Sequence, residues 1–143
     1  MGSYADDALF MSRNNIEYVE LISDDGKSKV MVIPAWQGRV MTTSAAGDEG
    51  DSYGWINYSF IKKRQIDLQF NPVGGEERFW LGPEGGVFSL YFRQGEKQIY
   101  KNWKVPPVLD IEAFKIQSQS KNCICLTCLL YTSPSPRDRT RSR

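Results

Sequence analysis

The sequence predicts an all-β fold, mainly antiparallel, with one or two short helices, and three observations carry that expectation. Val, Ile, Phe, Tyr and Trp total 36 residues against 15 for Ala and Leu, so residues suited to a pleated, half-buried surface outnumber the best helix formers. The apolar runs are short and are cut by Gly, Pro, Asn and Asp clusters, the punctuation of strands and turns. No run approaches the roughly 18 apolar residues of a membrane-spanning helix, so a membrane is not an expected partner.

Taken in order, Ser3 to Met11 predicts a short helix, with Ser3 as cap, Asp6 three residues later near the positive end, and Leu9 and Phe10 on an apolar side. IEYVELIS, the turn Asp24-Asp25-Gly26 and KVMVIPA then read as a hairpin whose second strand, apolar from Val30 to Ile33, is buried on both faces. Pro34 ends that ladder, Gly38 permits a bend, and RVMTTSA predicts a third strand. Ala46 to Gly54 is a loop, and Trp55 to Gln65 a second short helix with Ile56, Phe60 and Ile61 on one side. After NPVGGEERFWLGPEGG come the strand VFSLYF, the pair Pro106-Pro107 as a block to regular structure, and IEAFKIQ as a last strand.

Charge divides the chain unevenly. The net charge of +1 rules out a polycation and gives no electrostatic case for nucleic acid, yet Cys128 to Arg143 hold four Arg and one Asp, leaving the first 127 residues at −2. The run CLLYTSPSPRDRTRSR resembles the translation of a transposase-type sequencing adapter, and Thr127 can supply the base that must precede it. Residues 128–143 are therefore expected to be a non-native, disordered tail that packs on nothing. Residues 1–13 are read as an amino-terminal segment with the short helix, and residues 14–127 are expected to be the amino-terminal part of a truncated β domain. MGSYADDALF lacks the regions of a signal peptide, which leaves periplasm and cytoplasm both open.

There is no histidine, so the commonest general base and zinc ligand are missing. Cys123 and Cys125 are spaced for neither a zinc knuckle nor an easy disulfide, and Asp48, Glu49 and Asp51 do not match a calcium loop; no metal or cofactor is expected. The chemistry-bearing stretch is Val73 to Gly86. If extended, it places Arg78 and Trp80 on one face, with Glu76 and Glu84 nearby, the composition of a sugar platform in which an indole stacks on a ring and charged groups hold hydroxyls. The paired glycines let backbone come close to a ligand or a neighbouring strand. Packing of Trp80 and a surface ion pair explain the same residues without a ligand, and Trp36, Trp55 and Trp103 are read as core or rim.

WQGRVMTTSA, YGWIN, GGEERFWLGPEGGVFSLYF and KNWKVPP, in this order and spacing, resemble the start of DUF6786, a bacterial family related to galactose mutarotases (aldose 1-epimerases). The resemblance covers roughly Tyr4 to Phe114. It implies a β-supersandwich of several hundred residues with a carbohydrate site in a cleft on one sheet. Where mutarotases carry a His-Gly-Gly-like element this chain has Val73-Gly74-Gly75, and the family's basic Glu lies beyond Thr127. Neither an acid nor a base for mutarotation is thus expected in this chain, and no catalytic residue is assigned. The resemblance points to Glu76, Arg78, Trp80 and Glu84 as sugar contacts, with Arg39 and Asn57 behind them. The expectation is the amino-terminal part of a carbohydrate-binding protein, inactive by itself. An aldose 1-epimerase with its acid and base downstream, and a sandwich that binds no sugar, are the alternatives.

Overall fold

A computed structural model describes residues 2–130. Helix α1, Tyr4–Arg13, begins with a reciprocal cap: Asp6 N donates to Ser3 Oγ and Ser3 N donates to Asp6 Oδ2. Tyr4, Asp7 and Met11, spaced three and four residues apart, form its buried face. Strands β1 (Val19–Ile22) and β2 (Lys29–Ile33) form the expected hairpin, with Val19 opposite Val32 and Ile22 opposite Lys29. Its loop is fixed by Asp25 Oδ1, which accepts from Lys27 N and Ser23 Oγ. Met31, Val32 and Ile33 are buried, as an apolar central strand requires.

After a single 3-10 turn, Pro34–Trp36, strand β3 (Arg39–Ser44) returns along β2, so the sheet has the order β1-β2-β3 with β2 in the middle. The free side of β3 takes one more antiparallel bridge, from Val40 to Glu77. Helix α2 is shorter than its apolar pattern predicts, Tyr58–Lys63, because Ile56 bridges Gly74 and Asn57 becomes the cap. Its end is set by Arg64, which adopts the left-handed conformation at φ 51.

Three expectations in the second half are corrected. VFSLYF makes no ladder: Tyr91 N donates to Ser89 Oγ, Tyr91 is buried by its ring, and Val87 and Phe88 stay exposed. Among the described residues this run pairs with no strand, and β propensity without a partner does not make one. Pro106-Pro107 starts regular structure instead of blocking it, since helix α3, Pro107–Asp110, uses Pro107 where a missing N–H costs nothing. Ile111 N and Glu112 N then turn back onto Pro107 O, which delays the last predicted strand to β4, Lys115–Gln119. It pairs with a further strand, β5 (Ile124–Thr127), in a second, two-stranded antiparallel sheet. The fold is thus antiparallel β with a few short helices, and no helix among the described residues is long and apolar enough to cross a membrane.

Two apolar clusters hold these pieces. Tyr4, Met11, Met31, Ile33, Met41, Ile56, Ile61 and Val73 join α1, the three-stranded sheet and α2. Tyr91, Val105, Val108 and Leu109 form the other, flanked by Trp80 and Trp103; the Tyr91 and Trp103 rings stack at 5.8 Å. Leu130 packs against this second cluster, a correction to the expectation that nothing after Thr127 packs, because an apolar side chain beside an aromatic surface leaves water. The rest of the predicted tail lies outside the described residues.

Tyrosines set a limit at alkaline pH. Burial, with Glu20 beside it, raises Tyr4 above the ordinary phenol range, and burial together with a hydrogen bond to Asp7 pushes Tyr58 up to about 12. A phenol that resists ionisation in the folded state contributes stability that is complete below its unfolded pKa of about 10 and is lost as pH rises through the folded value. The melting temperature is expected to fall between about pH 10 and 12, and Tyr4→Phe to flatten that fall. A fall of unchanged steepness in Tyr4→Phe, followed by circular dichroism, would reject Tyr4 as its source.

Candidate functional site

Pro34, with no N–H to give and φ fixed, ends β2 and forces a tight reversal. Gln37 completes it in the left-handed conformation, φ 61, and Gly38 follows at φ 66. A left-handed non-glycine residue costs about 1–2 kcal/mol, and such outliers persist only where the surroundings over-determine them. Here Gln37 is 3% exposed, and its Nε2 donates to Glu112 O at 2.9 Å, tying the turn to the segment after α3. Gln37 Oε1 is buried and has no hydrogen-bond partner among the described residues.

Two residues on, Arg39 enters β3 with its side chain buried. Its Nη1 donates to Gly74 O at 2.6 Å, and its Nη2 lies 3.9 Å from Asp110 Oδ1. The glycine pair makes room for this. A side chain on Gly75 would come within 2.8 Å of Arg39 Cδ, and one on Gly74 within 2.3 Å of Trp55 O. Both have positive φ, 92 for Gly74 and 112 for Gly75. The close approach expected of Gly74-Gly75 is therefore an approach to the Arg39 side chain and to the Trp55 backbone.

Asp110, at the end of α3, is the anchor. Its Oδ2 accepts from Asn71 N at 2.7 Å and Asn71 Nδ2 at 2.8 Å, and its Oδ1 accepts from Arg78 Nη2 at 3.3 Å. Arg78 also donates to Leu109 O. Burial depresses Arg39 to about 10, with the Arg78 charge adding to it and Asp110 opposing it. Arg78 is lowered for the same first reason, burial, again opposed by Asp110. Two guanidinium groups thus share one buried carboxylate, and the Nε of each is buried without a partner among the described residues. Charges are buried in this way only when they are paired and hydrogen-bonded.

The chain of contacts continues outward. Arg78 lies over the Trp80 ring, 4.2 Å from its centroid, and Trp80 Nε1 donates to Glu84 Oε1 at 2.7 Å. Arg39, Arg78, Trp80 and Glu84 are therefore brought into one contiguous path through Asp110. One face of the Trp80 indole is occupied by Arg78, while Tyr91 sits tilted at 5.3 Å. Glu76 stands apart and exposed, accepting from Thr43 Oγ1 at 3.0 Å. Both ends of the Asn57 amide are used within the chain: Oδ1 caps α2 and Nδ2 donates to Pro72 O.

Beside the Arg39–Asp110 pair opens a cleft of about 240 Å³. Trp36, Phe60, Ile61, Ile66, Val73 and Ile111 give it apolar walls, and Gln37, Arg39, Arg64, Asn71 and Asp110 give it polar ones. Of the residues expected at a sugar site, only Arg39 lines it. Gln37, Asn71 and Asp110 are not foreseen, and Trp36 is read from the sequence as packing. The one available signal is Asp110 itself, a lone carboxylate among Val105, Val108, Leu109 and Ile111, which must find partners if that run is buried.

A family model described as "Family of unknown function (DUF6786)" matches residues 2–130. No curated protein and no solved structure matches the chain.

Proposed function

The chain belongs to the DUF6786 family, and on that premise we propose that it forms the amino-terminal part of a mutarotase-like carbohydrate-binding protein whose sugar site includes the cleft beside Arg39. The cleft itself supports the reading. Apolar walls with a few convergent polar groups are the general make-up of a small-molecule site, and Trp36 adds an aromatic edge to buried polar groups that lack partners among the described residues. At about 240 Å³ it is smaller than the roughly 300–1,000 Å³ of drug-sized sites, which suits a single sugar unit. The mutarotase-like relation rests on the looser motif VIPAWQGRV, while GGEERFWLGPEGG is specific to the family. The adapter reading of residues 128–143 stays part of this proposal although the family match and the Leu130 contact both run to residue 130, and a gene that reads through codon 127 without the adapter sequence would overturn it.

Titration calorimetry and thermal shift of the full-length protein against a panel of aldoses test the binding. A saturable rise in melting temperature is expected, about 2.7 kcal/mol of stabilisation at a hundredfold excess over Kd. A blank panel in both measurements would favour a sandwich that binds no sugar. Epimerase chemistry needs a free acid and base, whereas the one carboxylate lining the cleft, Asp110, is already engaged by Asn71 and Arg78. With Val73 standing where mutarotases carry a histidine, polarimetry of the full-length protein is expected to show no acceleration of mutarotation. Acceleration that a single carboxylate substitution abolishes would replace binding by catalysis.

A further inference from the structure

We propose that the cleft selects an anionic sugar, one carrying a carboxylate or phosphate group, over neutral aldoses. This rests on the carbohydrate reading and adds the class of ligand. Charge carries it: among the residues lining the cleft, Arg39 and Arg64 are cationic and Asp110 is the one acid. Asp110 is moreover shared, since Arg78 draws on the same oxygen, Oδ1, that faces Arg39. Asn71 occupies the other oxygen twice. The local balance is therefore positive, with Arg39 Nε buried and unpartnered among the described residues and Arg64 exposed near the rim. The surplus positive charge of the lining, on exposed Arg64 beside an Arg39 that shares its one carboxylate, favours an anion, which guanidinium groups hold through short charge-assisted bonds.

Gln37 supplies the complement. Its Oε1 is a buried acceptor without a partner among the described residues, in a side chain whose Nε2 donates to Glu112 O and whose backbone lies at φ 61. A bare carboxylate or phosphate brings no proton for that oxygen, whereas a sugar hydroxyl does. The combination asks for one molecule with an anionic group for the arginines and a hydroxyl for Gln37. Trp36, Phe60 and Ile66 would meet its less polar face.

The full-length protein titrated by calorimetry at low salt with galacturonate, glucuronate and glucose 6-phosphate, each beside galactose, glucose and inorganic phosphate, tests this. Tighter binding of the acidic sugars is expected, by about tenfold or more over their neutral counterparts, as befits one hydrogen bond to a charged group. That preference should shrink as salt rises and disappear in Arg64→Gln, whose melting temperature reports that the fold is kept. Uronate without phosphate sugar, or the reverse, identifies the source of the anion. Equal affinity for neutral and acidic aldoses overturns the inference and leaves the carbohydrate reading standing. Inorganic phosphate binding as tightly as glucose 6-phosphate overturns it by showing a plain anion site. If none of the sugars binds, both fall together.

Discussion

Asp110→Ala is expected to be the most damaging single substitution in the chain, lowering stability by about 3–5 kcal/mol, the usual result of removing one partner from a buried charge pair. The side chain is 1% exposed and faces Arg39, Arg78 and Asn71 from three different segments. Without it, two guanidinium groups remain buried near each other, and the Asn71 N–H and amide lose their acceptor. Asp110→Asn keeps the volume and one acceptor oxygen but not the charge, so it should fall between wild type and alanine. Urea unfolding of the three proteins decides the matter. An Asp110→Asn midpoint equal to that of wild type would show that the charge contributes nothing, and a loss below about 1 kcal/mol in both variants would show that the network is solvated.

Gly74→Ala comes next, with an expected loss of about 3 kcal/mol or more, combining left-handed backbone cost with overpacking. At φ 92 the new methyl group would lie 2.3 Å from Trp55 O, a backbone atom that accepts from Gly75 N and cannot yield without breaking the Ile56–Gly74 bridge. Gly26→Ala provides the comparison. Its φ is 73 and nothing lies within 4 Å of the added carbon, so it should cost only the conformational part, about 1 kcal/mol. Similar losses for the two variants would mean that the close approach at Gly74 relaxes easily. Because Gly74 O also holds Arg39, Gly74→Ala should weaken any ligand of the cleft along with the fold.

What proved legible in the sequence was local. Ser3 with Asp6 gave the first helix, Asp24-Asp25-Gly26 the hairpin turn, and Pro34 with Gly38 the reversal into β3, because caps and turns are decided by residues within a few positions of one another. Arg39 was reached as a site residue only through the motif resemblance. VFSLYF misled because strand propensity is a statement about fitting a sheet, and the run pairs with no strand among the described residues. Asn57 reads as a sugar ligand from its place in YGWIN but is a helix cap, which a six-residue helix barely announces.

The sequence by itself determined that the chain is antiparallel β with short helices, where the first sheet begins and turns, and that Gly74-Gly75 admit something close. Only the tertiary structure decided what that something is, that Asp110, held by Asn71, meets Arg39 from a distant segment, and that Gln37 reaches Glu112 across 75 residues. The reason is physical. A turn is settled by the torsions of four residues, but a buried carboxylate shows its purpose only when the charges it must neutralise have been carried to it by other segments of the fold.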